Sequence, residues 1–123
     1  MCCGYPGHID DEDYLKADPQ SYFDLARAVD NSSVQQVSIE DAHCLNDLSL
    51  LESFANSSVI LGSVTIASSR VESVEEIYQR LKQALDHIDS ERLLAAPDCG
   101  LTMLERGLAM TKLGNMCKAA QQF

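Results

Sequence analysis

The chain has 123 residues, 46% of them hydrophobic, enough for one domain with a buried core. Its formal net charge of −10 speaks against nucleic acid and against anionic membranes, which are met by clustered Lys and Arg. No apolar stretch reaches the length of a membrane span, and the chain does not open on a charged segment followed by an apolar core, as a secretory signal would.

Five cysteines, an odd number at irregular spacings and without a Cys-x-x-Cys pair, fit a reduced, cytoplasmic protein better than a disulfide framework. Asp10, Asp11, Glu12 and Asp13 form an acidic run. It lacks the spacing of an EF-hand and reads as a solvated loop.

The first helix is announced by Asp18 and Pro19, a side chain able to cap the first turn and a ring preset for the first helical position. Tyr22, Phe23, Ala26 and Val29 follow at helical spacing, and Asp30-Asn31-Ser32-Ser33 closes the segment. Val34 to Glu40 reads as a strand, with Val37 and Ile39 alternating with polar neighbours. A short helix is expected from about Asn46 to Ala55, with Leu48, Leu51 and Phe54 on one face.

Val59 to Ile66 is a second strand, apolar nearly throughout, as in a parallel sheet buried on both faces. Ser73 and Glu76 form a capping box, and Val74, Ile77, Tyr78, Leu81, Leu85 and Ile88 mark the apolar stripe of the clearest helix. Leu93 to Ala96 is a third strand that stops at Pro97. A last helix covers about Leu104 to Gln121, its pattern weakened by Gly107 and Gly114. His87 falls near a helix end, Tyr78 in the core, and Cys117 in the last helix as a small buried apolar residue.

Three strands alternating with four helices imply parallel pairing through crossover helices. Two architectures satisfy this order: a small doubly wound sheet, or a segment of a (β/α)₈ barrel. No Gly-x-Gly-x-x-Gly and no Walker loop is present, so no phosphate cradle is visible. Polar groups that can do chemistry stand at the C-terminal ends of strands, the end that carries active sites in parallel barrels. Glu40 ends the first strand, and Asp98 and Cys99 follow the third. A thiol and a carboxylate at one rim suit zinc. His43 and Cys44 read as a polar loop start that could lie near the same rim.

The run Glu91-Arg92-Leu93-Leu94-Ala95-Ala96-Pro97-Asp98-Cys99-Gly100-Leu101 resembles the signature near the end of cobalamin-independent methionine synthases. Leu113 to Ala120 resembles that family's closing helix, Val37-Ser38-Ile39-Glu40 its strand ending in glutamate, and Leu51-Glu52-Ser53-Phe54 recurs there. Met1-Cys2-Cys3-Gly4 resembles the residues that follow the histidine of a His-x-Cys motif.

The resemblance implies that the whole chain, 1–123, is the C-terminal part of a (β/α)₈ TIM barrel. It implies zinc as cofactor, held by Cys2, Glu40 and Cys99, with the family's histidine falling one position before Met1. Cys3 and His8 are candidate substitutes for it. The implied partners are a small-molecule thiol such as homocysteine and a methyl donor, and the implied activity is thiol methylation in methionine biosynthesis. The family carries Asp-Ile-His-Ser where this chain has Thr65-Ile66-Ala67-Ser68, and Ala67 cannot donate a proton. No catalytic side chain is therefore assigned. Two alternatives stay open: a related zinc enzyme alkylating another thiol, and a truncated, inactive remnant or acidic interaction partner. Open barrel edges further predict self-association.

Overall fold

The computed structural model describes residues 1–2, 4–11 and 13–123. It contains helix α1 (Gln20–Asp30), strand β1 (Gln36–Ile39), a 3₁₀ helix (Leu48–Ser53), β2 (Ser58–Val64), α2 (Val74–Ala84), a 3₁₀ turn (Ser90–Arg92), β3 (Leu93–Pro97) and α3 (Arg106–Ala120). The strands form one parallel sheet in the order β1-β2-β3. Strand order therefore follows chain order, as in one sector of a barrel.

Burial follows the pattern of the residues. In β1, Val37 and Ile39 point into the core while Gln36 and Ser38 face out. In β2 every residue from Leu61 to Val64 is buried, as befits the central strand. The edge strand β3 is only half-buried, and Leu94 is exposed. α1 turns Tyr22, Ala26 and Asp30 inward at four-residue spacing. α2 carries the expected capping box: Ser73 accepts the Glu76 N–H, and the Glu76 side chain accepts the Ser73 N–H. Those bonds, with Arg70, hold the Glu76 carboxyl down at about 2.

Three details differ from the sequence reading. The helix expected at 46–55 is a six-residue 3₁₀ helix, started by Asp47, whose side chain accepts the Ser49 N–H. Leu48, Leu51 and Phe54 recur every three residues, which is the 3₁₀ period, and all three are buried. Cys117 is exposed, on the outer face of α3. Tyr78 is half-buried and stacks on Phe123 with ring centroids 4.9 Å apart. His87 falls just past the end of α2, as expected, its Nδ1 2.7 Å from Glu52.

Candidate functional site at the C-terminal rim

Glu40, the first residue past β1, is buried. A lone carboxylate there would be costly, so it needs a cationic partner. Lys16 supplies one: its Nζ donates to Glu40 Oε2 at 2.9 Å and sits 4.4 Å from the centre of the Tyr5 ring. The segment before α1 is thus folded over the end of β1.

The same segment brings Cys2 to this rim. The Met1 ammonium donates to the Ser38 carbonyl, and the Tyr22 hydroxyl donates to the Met1 carbonyl at 3.4 Å. The Gly4 N–H donates to Cys2 Sγ at 3.3 Å. The Tyr5 hydroxyl is buried, and no group among the described residues meets it with hydrogen-bond geometry. Burial, then the Glu40 carboxylate, and then the charges of Asp98 and Cys2 push its pKa far up.

Asp98 continues β3. Its N–H donates to the Val64 carbonyl at 2.9 Å. Its carboxylate accepts the N–H groups of Asp41 and Ala42 on Oδ1, at 2.9 and 3.0 Å, and that of His43 on Oδ2, at 2.8 Å. Burial raises the Asp98 pKa, the three backbone donors oppose it, and the Glu40 charge adds to the rise. Cys99, the next residue, is exposed at the same rim.

The three ligands expected from the sequence thus lie at one end of the sheet. Among the described residues they do not close into a group of three donors ready to hold a metal ion. Cys3 lies outside the described residues, as does Glu12 of the acidic run. His8 is exposed and pairs with Asp11 at 3.5 Å. The acidic run is more than a solvated loop: Asp10 Oδ1 accepts the Ser69 N–H at 2.7 Å, and the Asp10 N–H donates to the Ala67 carbonyl at 2.9 Å.

His43 belongs to the rim. Its Nε2 accepts the Ala67 N–H at 3.0 Å, and its ring meets Tyr5 edge-on at 5.2 Å. Burial, followed by the Lys16 charge, lowers its pKa, which favours the neutral imidazole. A cleft of about 370 Å³ opens here between Tyr14, Lys16, His43, Ala67 and Ser68.

Two buried networks beneath the rim were not foreseen. Arg80 grips Asp41 with two bonds of 2.6 and 2.7 Å and donates to the Asn46 carbonyl at 2.8 Å. Lys112, fully buried, donates to Thr65 Oγ1 at 2.9 Å and to Glu72 Oε2 at 3.1 Å. Burial raises the Glu72 pKa, but bonds from Thr65 and Lys112 outweigh it and hold the carboxyl low. The available signal was one of the two lysines of α3, set among mixed polar and apolar positions, too common on a helix to single out.

Residues 20–122 match the family model for the cobalamin-independent synthase catalytic domain. The chain belongs to this family. A methionine synthase from Pyrococcus horikoshii is 35% identical over 102 residues, 82% of this chain and 30% of that protein. One from Thermococcus kodakarensis gives the same identity and coverage. A 5-methyltetrahydropteroyltriglutamate–homocysteine methyltransferase from Dictyostelium discoideum is 31% identical over 81% of this chain and 12% of its own length. The chain thus spans less than a third of these relatives. The fold of a B12-independent methionine synthase from a Shewanella species, in complex with selenomethionine, superposes with a TM-score of 0.79 at 23% identity. That match covers 99% of this chain and 36% of the other. The three-stranded sheet is accordingly part of a TIM barrel of the cobalamin-independent methionine synthase type. Among the described residues no helix is long and apolar enough to cross a membrane.

Proposed function

We propose that the chain, read as one partial barrel domain over 1–123, is the zinc-binding rim of a cytoplasmic thiol methyltransferase of the methionine synthase type. One observation carries the reading: Glu40 and Cys99 stand past the ends of β1 and β3, joined through the Asp98 carboxylate and the 41–43 backbone. Cys2 follows Met1, whose ammonium donates to the Ser38 carbonyl near the end of β1.

Two thiols and a carboxylate fit zinc by their chemistry. Cys2, Glu40 and Cys99 would hold it. Bound there, zinc would lower the pKa of an acceptor thiol such as homocysteine and make it nucleophilic at neutral pH. The chain's own residues do the rest. Lys16 is paired with the buried Glu40 carboxylate and would have to release it to a metal. Tyr5 and His43 pack edge-on at the rim, with ring centroids 5.2 Å apart. A methyl donor such as methyltetrahydrofolate would come from the remainder of a complete barrel.

The test is metal content of the full chain beside Glu40→Ala and Cys99→Ser. Zinc bound by the parent and lost in both variants supports the reading. A folded parent without zinc rejects it.

Two observations favour the alternatives. Ala67 replaces the family's histidine, which supports an acceptor thiol other than homocysteine. Lys16 already neutralises Glu40, which supports a remnant without metal that self-associates through its half-buried edge strand. Light scattering at high concentration separates that case: a monomer throughout removes the self-association.

A further inference from the structure

β1 and β3 are not neighbours; β2 lies between them. No ladder of hydrogen bonds therefore fixes the end of one against the end of the other. Something beyond the ladder must set how far Cys99 lies from Glu40. We propose that Asp98 is the positioning residue that does so, by locking the loop after β1 onto the end of β3. The inference rests on the metal reading above and adds to it the device that spaces two of the ligands.

Three consecutive N–H groups, those of Asp41, Ala42 and His43, converge on the Asp98 carboxylate at 2.8–3.0 Å. Asp41 is bonded directly to Glu40 in the chain, and Cys99 directly to Asp98. Each locked residue is thus next to one ligand. The side chain crosses β2 at its only glycine. A Cβ added to Gly62 would lie 2.0 Å from Asp98 Oδ1 and 2.9 Å from Asp98 Cα. The bridge therefore exists because β2 carries no side chain at that point. The loop's other anchors lead elsewhere: Asp41 to Arg80 of α2, and His43 to Ala67 after β2. Asp98 is its link to β3.

The substitutions separate by degree. In Asp98→Asn the amide oxygen, lying where Oδ1 lies, keeps the bonds from Asp41 and Ala42. Its NH₂ then opposes the His43 N–H, because an amide has only one acceptor atom. Asp98→Ala loses all three bonds. Gly62→Ala displaces the carboxylate without altering its chemistry.

The experiment titrates Co²⁺ into the full chain. It follows the thiolate-to-cobalt charge-transfer band, the dissociation constant, and amide exchange at residues 41–43 by NMR. Asp98→Ala and Gly62→Ala are expected to weaken Co²⁺ roughly 10–100-fold, the range for groups that orient metal ligands. They should also lose the Cys99 share of the band and speed exchange at 41–43. Asp98→Asn should fall between these and the parent. Asp30→Ala, at the opposite end of the sheet, should leave band and affinity unchanged.

Faster exchange at 41–43 with unaltered band and affinity in Asp98→Ala overturns the positioning role and leaves the metal reading standing. So does unaltered exchange. A folded parent that gives no cobalt band overturns the metal reading itself, and the positioning role falls with it. Folding of each variant is checked by near-ultraviolet circular dichroism. Asp98→Asn, the closest in shape, supplies the comparison if Asp98→Ala does not fold.

Discussion

At the N-terminal end of the sheet the Asp30 carboxylate receives the N–H groups of Ala55, Asn56 and Ser57. At the C-terminal end Asp98 receives those of Asp41, Ala42 and His43. The device is the same, yet the pKa values move in opposite directions. Burial pushes both up, but at Asp30 the backbone donors win and its pKa falls. The Asn56 side-chain amide adds a further bond there, at 3.0 Å. At Asp98 burial wins, and the nearby Glu40 charge adds to it. One end is a satisfied joint, further tied by Arg92, which donates to the carbonyls of Phe54 and Ser57. The other holds the buried Glu40 against Lys16, with Asp98 and the exposed Cys99 at the end of β3. Barrels divide their labour this way, with stability at one end of the strands and chemistry at the other.

The comparison can be broken most forcefully below the C-terminal rim. Lys112→Met leaves the Glu72 carboxylate buried without its cation, and the expected loss is about 3–5 kcal/mol in urea unfolding. A much smaller loss would mean that water reaches Glu72. Asp30→Ala leaves three backbone donors without their acceptor and should cost about 1–3 kcal/mol.

A pH series sharpens the same contrast. A carboxyl with a depressed folded pKa stabilises fully above its unfolded value and loses that contribution as pH falls through the folded one. The parent's advantage over Asp30→Asn should therefore be constant near neutrality and shrink in acid, below the ordinary Asp range. An advantage that grows in acid would refute the assignment.

Lys16→Met should cost about 1–3 kcal/mol without metal, and added Zn²⁺ should restore the loss if Glu40 accepts a metal in its place. Ser73→Ala, which removes one half of the α2 capping box, should cost about 1 kcal/mol. It should leave metal uptake unchanged.

The periodic elements were legible because each buries one face. The stripe of α2, its capping box and the alternation in β1 were all read from the residues. The short helix at 48–53 was legible as a helix, but not as 3₁₀, because six residues carry too few turns to separate periods of 3.0 and 3.6. The strand ends Glu40 and Cys99 could be read because a polar residue after an apolar run marks an exit from the core. Lys16, Tyr5, Arg80 and Lys112 could not. Each reaches the rim or its foundation from another element, and sequence spacing says nothing about contacts 24 to 47 residues apart. The Glu91-Arg92 and Asp98-Cys99 ends of one motif serve opposite ends of the sheet, a division that appears only once β3 is seen to span the distance between them.

The ladder between β2 and β3 is uneven at its end: Gly62 faces Ala96, Val64 faces Pro97, and Ser63 has no opposite number. Its hydroxyl donates instead to the Ala96 carbonyl at 3.2 Å. The skip falls beside Pro97, the one residue of β3 without an N–H to give. It works as a spacer, carrying the exit of β2 about 3.3 Å further along than an even ladder would. Parity is the deeper consequence. Deleting Ser63 would turn every later side chain of the strand to the other face, taking the Thr65 hydroxyl away from the buried Lys112–Glu72 pair that it bridges.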